Sequence, residues 1–202
     1  MILDEQKMIF VHIPKNAGTS IESIFLTPEY REKYPVSKIE RHATIHEVKE
    51  VFPDKYDSYI KFAVIRNPYD RMVSWYHYVK QIVSEYNHRN ILHPEKMVTW
   101  NYSFLAFLNK PIELTKIATE GVGLSTSYER LFKPQNEFLD ESVRIIKYEF
   151  LEETFAKLFK VNLPIKNKTA RKHYKSYYDN DCEKLVYKNY KEDFNKYKFK
   201  RI

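Results

Sequence analysis

The chain has 202 residues, of which 43% are hydrophobic and 30% are charged. That length suits a single domain over residues 1–202 with a sizeable core, and the mixed signs of the charges exclude disorder throughout. The single cysteine, Cys182, excludes an intramolecular disulfide and fits a reducing compartment.

The sequence also lacks the marks of a membrane or secreted protein. No apolar run approaches the roughly 20 residues of a membrane span, and the first residues lack the charged-then-apolar layout of a signal peptide. We therefore expect a cytoplasmic bacterial protein without a membrane span. A trimmed lumenal domain of a Golgi protein shares these features.

The formal net charge of +7 is confined to one end of the chain. Residues 166–202 hold 12 lysines and arginines against 5 aspartates and glutamates, and the rest of the chain is neutral. Such a basic segment suits a polyanion, a membrane surface or a small phosphorylated ligand. A solvated helix face has the same composition.

Three short apolar runs predict buried parallel strands: Met8–Ile13, Ile60–Ile65 and Val143–Tyr148. The first two lead directly into loops that contain proline and asparagine or glycine, and helical patterns follow. This order is typical of α/β proteins, in which ligand-binding loops lie at the carboxyl ends of the strands.

The first loop, residues 14–20, has the sequence Pro-Lys-Asn-Ala-Gly-Thr-Ser. The helix should begin near Gly18 or Thr19. Lys15 and two hydroxyls then lie beside backbone N–H groups, an arrangement that suits an anion such as a phosphate. The loop is not a Walker A motif, because Lys15 precedes the glycine instead of following it.

The remaining helices are predicted from apolar spacing and capping signals. A helix over residues 45–51 should stop at Pro53, and a well-defined helix starts at Pro68, where proline fits the first turn. Residues 84–100 and 121–133 indicate loops. The other predicted helices are residues 102–108, residues 151–159 with Leu158 turned inward, and an amphipathic helix over residues 181–197.

The second strand leads into Arg66, and Ser74 follows eight residues later, two turns into the next helix. If the loop folds back, the guanidinium and the hydroxyl can converge on one group, and the guanidinium fork suits a phosphate bidentately. Taken alone, Arg66 is also compatible with a structural ion pair, and Ser74 with an ordinary helix surface.

Together, these two motifs resemble the cofactor signatures of sulfotransferases. His-Ile-Pro-Lys-Asn-Ala-Gly-Thr-Ser (12–20) and Ile-Arg-Asn-Pro-Tyr-Asp-Arg-Met-Val-Ser-Trp-Tyr (65–76) are most similar to the carbohydrate branch, which includes heparan 2-O-sulfotransferase-like enzymes and bacterial relatives. Weaker similarities lie at residues 41–44, at 146–151 and after 167. The resemblance implies an α/β fold of the P-loop-NTPase type, a three-layer sandwich whose central parallel sheet is flanked by helices.

The resemblance also implies a place for each motif residue. Such enzymes take the sulfuryl group from 3′-phosphoadenosine 5′-phosphosulfate (PAPS). Arg66 and Ser74 would hold the 3′-phosphate, and Lys15 would neutralise the charge that develops on the bridging oxygen as sulfur departs. No acidic cluster has the look of a metal site, so no metal is expected. The loop around the 5′-phosphosulfate would consist of Lys15, Asn16, Ala17, Gly18, Thr19 and Ser20.

A hydroxyl acceptor needs a general base, and an unperturbed imidazole has a suitable pKa. His42 is our choice, because its Arg-His-Ala-Thr context resembles the histidine-bearing segment of the family. His46, one helical turn away, is the second candidate, and Glu47 is a weaker one. His12 is expected to be a core histidine that faces the sheet.

The resemblance gives the basic C-terminal segment a use as a lid over the 3′-phosphate, and Lys168, Arg171 and Lys172 are the candidates for contacts. Binding of an acidic polysaccharide acceptor is the alternative use. Trp100 and Tyr102 are candidates for a carbohydrate cleft, because aromatic rings pack on the apolar faces of sugars.

The predicted function is therefore PAPS-dependent transfer of a sulfuryl group to a hydroxyl, on a glycan. A non-catalytic nucleotide- or polyanion-binding module on the same scaffold is the alternative. A kinase-like enzyme is disfavoured by the position of Lys15, and a nucleic-acid binder by the confinement of the basic charge to the C-terminus.

Overall fold

A computed structural model describes residues 1–33, 39–88, 100–119, 127–164, 166 and 170–202. The chain divides into two compact units. The first unit comprises Met1–Arg66 and Pro134–Lys168, and the second comprises Asn67–Lys133 and Thr169–Ile202.

The first unit contains a four-stranded sheet with the strand order β1-β2-β3-β4. The strands are β1 (Ile2–Leu3), β2 (Met8–Val11), β3 (Ile60–Ile65) and β4 (Arg144–Lys147). β2, β3 and β4 run parallel, with Met8 opposite Ile60 and Val64 opposite Ile146. The three predicted parallel strands are therefore confirmed, but β4 is exposed or half-buried instead of buried. The two-residue β1, which pairs antiparallel with β2, was not predicted.

The side chains of β2 are buried on both faces of this sheet. Alternation along β2 directs Met8 and Phe10 to one side, where they form a core with Ile21 and Phe155. Leu158, which we expected to face inward, is 63% exposed, so that prediction is wrong. The helices of this unit are α1 (Gly18–Phe25), α2 (Pro28–Lys33), α3 (Ile45–Val51), α4 (Pro53–Ser58) and α9 (Leu151–Phe159), with 3₁₀ turns at Gln135–Phe138 and Tyr148–Phe150.

The described part of the second unit is helical and rich in aromatic residues. Its apolar core joins the helix that follows Pro68 to the C-terminal helices, with Tyr69, Trp75 and Phe107 among the buried rings. The helices are α5 (Pro68–His88), α6 (Phe104–Asn109), α7 (Pro111–Ala118), α8 (Tyr128–Phe132), α10 (Asn180–Asn189) and α11 (Lys191–Tyr197), with a 3₁₀ turn at Tyr174–Tyr177.

Three predictions for the second unit need correction. α5 continues to His88, beyond the predicted loop start at residue 84, and α8 lies inside the predicted loop 121–133. The predicted helix 181–197 is two helices, because Tyr190 leaves the helical region at φ −123° and ψ 24°. The Tyr190 hydroxyl donates to the Phe132 carbonyl at 3.0 Å, which fixes the break.

The architecture is thus α/β, with a mostly parallel sheet, as predicted. The length and hydropathy of the described helices rule out a membrane crossing by any of them.

Candidate functional site

The loop between β2 and α1 has an unusual backbone. Lys15 and Ala17 adopt positive φ angles of 69° and 62°, and Ala17 is the N-terminal cap of α1. Left-handed residues that alternate with ordinary ones turn successive backbone N–H groups to one side, and the first turn of a helix adds N–H groups without intrahelical partners. The loop therefore has the backbone of an anion-binding site.

The position of Gly18 has no room for a side chain, because the His12 ring lies against it. A Cβ atom on Gly18 would lie 1.8 Å from Nε2 of His12 and 2.0 Å from its Cδ2. His12 is 4% exposed, and its Nδ1 lies 2.8 Å from Glu22 Oε1. The buried imidazole thus occupies the space that a side chain would fill, which lets the loop approach the end of β2.

A buried polar bridge connects this loop to the end of β3. The Asn16 carboxamide donates through Nδ2 to the Val64 carbonyl and to Gln135 Oε1, both at 2.7 Å. Gln135 Oε1 also accepts from the backbone N–H of Arg66, and its Nε2 donates to the Arg66 carbonyl, both at 2.9 Å. Gln135 is fully buried and Asn16 is 1% exposed.

The side chain of Arg66 makes a second connection. Its Nη1 donates to the Lys15 carbonyl at 2.9 Å, and its guanidinium lies over the Tyr148 ring, 4.0 Å from the ring centroid. Arg66 is only 7% exposed. The residues that follow the two strands, predicted to bind one nucleotide from separate motifs, are thus in direct contact in the first unit.

An ion pair supports the far side of the loop. Arg41 donates through Nε to Glu22 Oε1 at 3.0 Å and through Nη2 to Glu22 Oε2. Burial alone would raise the pKa of Glu22, but the hydrogen bonds with His12 and Arg41 outweigh it and lower that pKa to about 2. Burial lowers the pKa of His12. Glu22 is therefore charged and His12 neutral at pH 7.

His42 lies beside His12, with the two ring centroids 4.4 Å apart. It is 8% exposed, and its Nδ1 lies 2.8 Å from the His12 carbonyl oxygen. Because a carbonyl only accepts, Nδ1 carries the proton and Nε2 carries the lone pair of the neutral ring. Burial and the nearby His12 lower the pKa of His42 to about 3.

The two hydroxyls of the loop have different surroundings. The Thr19 hydroxyl accepts from Arg41 Nη2 at 3.3 Å. Ser20 is 5% exposed, and its hydroxyl accepts from the backbone N–H of Lys166 at 3.1 Å. Ser20 therefore anchors the chain that enters the basic C-terminal segment.

The other two candidate bases lie on α3. His46 is exposed. Glu47 closes a capping box with Thr44, in which its Oε2 accepts from the Thr44 backbone N–H at 2.7 Å and from the Thr44 hydroxyl at 2.9 Å. Glu47 thus has a structural role at the start of α3.

Three of the predicted cofactor residues belong to the second unit. Ser74 is half-buried on α5. Arg171 Nη2 donates to Asp70 Oδ1 at 2.6 Å, and Asp70 lies in the first turn of α5, where the helix dipole favours a carboxylate. Lys172 is exposed. Lys168 lies outside the described residues.

The two aromatic acceptor candidates lie in the second unit as well. The rings of Trp100 and Tyr102 are 5.3 Å apart, and Trp100 also packs against Tyr76 and Phe107. Tyr102 is 37% exposed. Of the pair, Tyr102 is the residue that presents surface to a ligand.

A sequence model described as the Sulfotransferase family matches residues 1–152. The chain belongs to the sulfotransferase family. The match covers the two loop motifs, the bridge residue Gln135 and the candidate base. Comparison of this sulfotransferase with curated proteins and with solved structures gave no significant match.

Two residues of this candidate site were not predicted from the sequence. Gln135 follows a proline at the end of a predicted loop, without a periodic pattern, so nothing local distinguishes it from a surface residue. Glu22 is one of several carboxylates on predicted helices, and its partners are His12 and Arg41 from other segments. Among the described residues, no group of three His, Cys, Asp or Glu side chains could hold a metal ion.

Proposed function

We propose that this sulfotransferase takes the sulfuryl group of PAPS and transfers it to a hydroxyl of a carbohydrate. The observation that carries the proposal is the contact between the two loop ends. Arg66 donates to the Lys15 carbonyl at 2.9 Å, and the hydrogen bonds of Gln135 with Asn16 and with the Arg66 backbone connect the same two loops. The residues suit a nucleotide with phosphates at both ends, because each loop contributes a cation and the first loop adds backbone N–H groups.

The first loop would bind the 5′-phosphosulfate. The backbone N–H groups of Ala17, Gly18 and Thr19 offer hydrogen bonds to its oxygens, and the left-handed Lys15 and Ala17 hold those groups in place before any ligand arrives. Arg66 would bind the 3′-phosphate, which distinguishes this nucleotide from ATP.

In the reaction, the acceptor oxygen forms a bond to sulfur as the bond from sulfur to the 5′-phosphate oxygen breaks. Adenosine 3′,5′-bisphosphate leaves with the electron pair of that bond, and Lys15 stabilises the charge that develops on the departing oxygen. His42 accepts the hydroxyl proton at Nε2, the nitrogen that its hydrogen bond to the His12 carbonyl leaves unprotonated. Transfer of this kind consists mainly of positioning and electrostatic stabilisation.

The low pKa of His42 fits a base that works next to an anion. At about 3, it keeps the imidazole neutral and ready to accept a proton at any physiological pH. The negative charge of a bound nucleotide favours the protonated form and raises this pKa towards the range of an effective base.

The carbohydrate acceptor is supported by the aromatic surface of the second unit. Tyr102 is partly exposed and its ring contacts Trp100, and such rings pack against the apolar faces of sugars. The net charge of +7 also suits an acidic glycan.

Nucleotide selectivity tests the donor. Adenosine 3′,5′-bisphosphate should raise the melting temperature of the protein by several degrees, because binding to the folded state stabilises it. ATP with Mg²⁺, which lacks a 3′-phosphate, should raise it much less. An equal or larger shift with ATP would contradict PAPS as donor.

Transfer itself is tested with radiolabelled PAPS and a panel of glycans with free hydroxyls. Label should appear in one class of glycan, and His42→Asn, which retains a donor near the His12 carbonyl, should slow transfer without weakening nucleotide binding. Tight nucleotide binding without transfer to any acceptor would favour the non-catalytic binding module.

A further inference from the structure

The side-chain carboxamide of Gln135 hydrogen-bonds the backbone at the end of β3, as a neighbouring strand would. It accepts from the backbone N–H of Arg66 and donates to the carbonyl of the same residue, both at 2.9 Å. A neighbouring strand offers this same pair of bonds to a residue inside a sheet. The last paired residue of β3 is Ile65, which lies opposite Lys147 of β4. Arg66 is the next residue, so the bonds from Gln135 extend the hydrogen-bonded backbone of β3 by one residue.

The same carboxamide holds the first loop. Gln135 Oε1 accepts from Asn16 Nδ2 at 2.7 Å, and Asn16 also donates to the Val64 carbonyl of β3. Both partners of Nδ2 are acceptors, so the Asn16 amide has one orientation only. Its Oδ1 is buried without a hydrogen-bond partner in the part of the chain that the structure describes, a cost that buried polar groups seldom bear.

Asn16 stands between the two left-handed residues of the loop, Lys15 at φ 69° and Ala17 at φ 62°. Non-glycine residues persist in this region only where the surroundings over-determine the backbone. The bonds from Asn16 to β3 and to Gln135 supply that constraint. A single fully buried side chain thus fixes both the strained first loop and the residue that carries the second cation.

We propose that Gln135 is a positioning residue of the sulfotransferase. It fixes the spacing between the 5′-phosphosulfate loop and Arg66, so that both ends of one nucleotide are bound together, while it makes no contact with the nucleotide itself. The inference rests on the proposed function, since it assumes a ligand with phosphates at both loops.

The test measures affinities, which a simple loss of stability does not change while the protein is folded. Gln135→Leu and the milder Gln135→Asn, whose shorter chain cannot span both loops, are titrated calorimetrically with adenosine 3′,5′-bisphosphate and with 5′-AMP, well below the melting temperature. Each lost buried hydrogen bond leaves its partner unsatisfied, so we expect binding of the bisphosphate to weaken by about tenfold or more. We also expect the preference for the bisphosphate over 5′-AMP to shrink, because Arg66 is displaced.

Tyr30→Phe is the matched control. It removes a buried side-chain link in the same unit, between the Asp4 N–H and the Ile2 carbonyl, and Tyr30 has no hydrogen bond to Asn16, Arg66 or Gln135 among those described. It should lower the melting temperature and leave both affinities close to those of the wild-type protein. A folded Gln135→Leu or Gln135→Asn variant with wild-type affinities would overturn the inference. A wild-type protein that fails to bind the bisphosphate would instead overturn the proposed function.

Discussion

Gly18 shows how one residue can decide the geometry of a site. Replacing Gly18 by alanine places a Cβ atom 1.8 Å from the His12 ring, which is buried and held by Glu22. Overpacking of this kind costs about 1–3 kcal/mol, more than the helix propensity that alanine gains. We expect Gly18→Ala to lower the melting temperature by roughly 2–12 °C, as measured by calorimetry.

Two further variants make the cause of that loss visible. Ser23→Ala, at an exposed position of α1, should shift the melting temperature far less. His12→Ala removes the ring that the new Cβ would meet, so Gly18→Ala should cost less in that background than in the wild-type protein. Additive losses in the double variant would mean that the clash with His12 is not the cause.

His42 should make the stability of the fold depend on pH. Its pKa in the folded protein, about 3, lies below the ordinary value of 6.5 because burial and His12 disfavour the charged ring. Between these two values the unfolded chain binds more protons, so stability is complete above about pH 6.5 and falls as the pH drops towards 3. The part due to His42 amounts to at most about 2 kcal/mol between roughly pH 6.5 and 5.

Urea unfolding at about pH 7, 6 and 5 measures this effect. His42→Asn should reduce the pH dependence in that range, and the part that remains includes His12, whose pKa burial also lowers. Glu22 contributes only at lower pH, because its pKa of about 2 lies below its ordinary value of 4.5. Equal pH dependence in the wild-type protein and in His42→Asn would show that His42 is not protected from protonation.

At the scale of elements, the sequence was most informative where local chemistry alone decides a boundary. α3 begins and ends at the predicted residues, because Thr44 and Glu47 form a capping box and a proline follows two residues after Val51. Strands β2 and β3 were predictable because buried strands are short continuous apolar runs. Helix α7 was not predicted. It begins at Pro111, two residues after Asn109 ends α6, and its sequence has neither a capping box nor a continuous apolar run.

The same distinction applies to the site. The positions of Lys15, Gly18 and Arg66 just after strands were predictable, because these residues belong to contiguous motifs. The bridge through Gln135 was not, because it depends on a contact across 119 residues of chain with Asn16. The break in the C-terminal helix at Tyr190 has a similar origin, since its hydroxyl reaches the Phe132 carbonyl, 58 residues earlier.

At the scale of the whole molecule, the family match and the charge lie at opposite ends of the chain. The match ends at residue 152, whereas the basic excess lies in residues 166–202. The predicted lid over the 3′-phosphate is therefore supported by the basic charge of residues 166–202, and this segment lies outside the matched residues. Arg171 is already paired with Asp70, which makes the exposed Lys172 the better probe of this role.

Replacing Lys172 by glutamine should weaken binding of adenosine 3′,5′-bisphosphate more than Lys188→Gln, which removes the same charge from an exposed position of α10. Screening shortens the reach of a surface charge from about 30 Å at 0.01 M salt to about 10 Å at 0.1 M. If the lysines acted only through the net charge, both variants would lose the same affinity for the bisphosphate, and that loss would depend strongly on salt. Titration calorimetry across this salt range separates the cases, because a lysine close to the 3′-phosphate keeps part of its advantage at the higher salt concentration. If neither variant differs from the wild-type protein, the basic segment is a solvated helix face and the lid prediction is wrong.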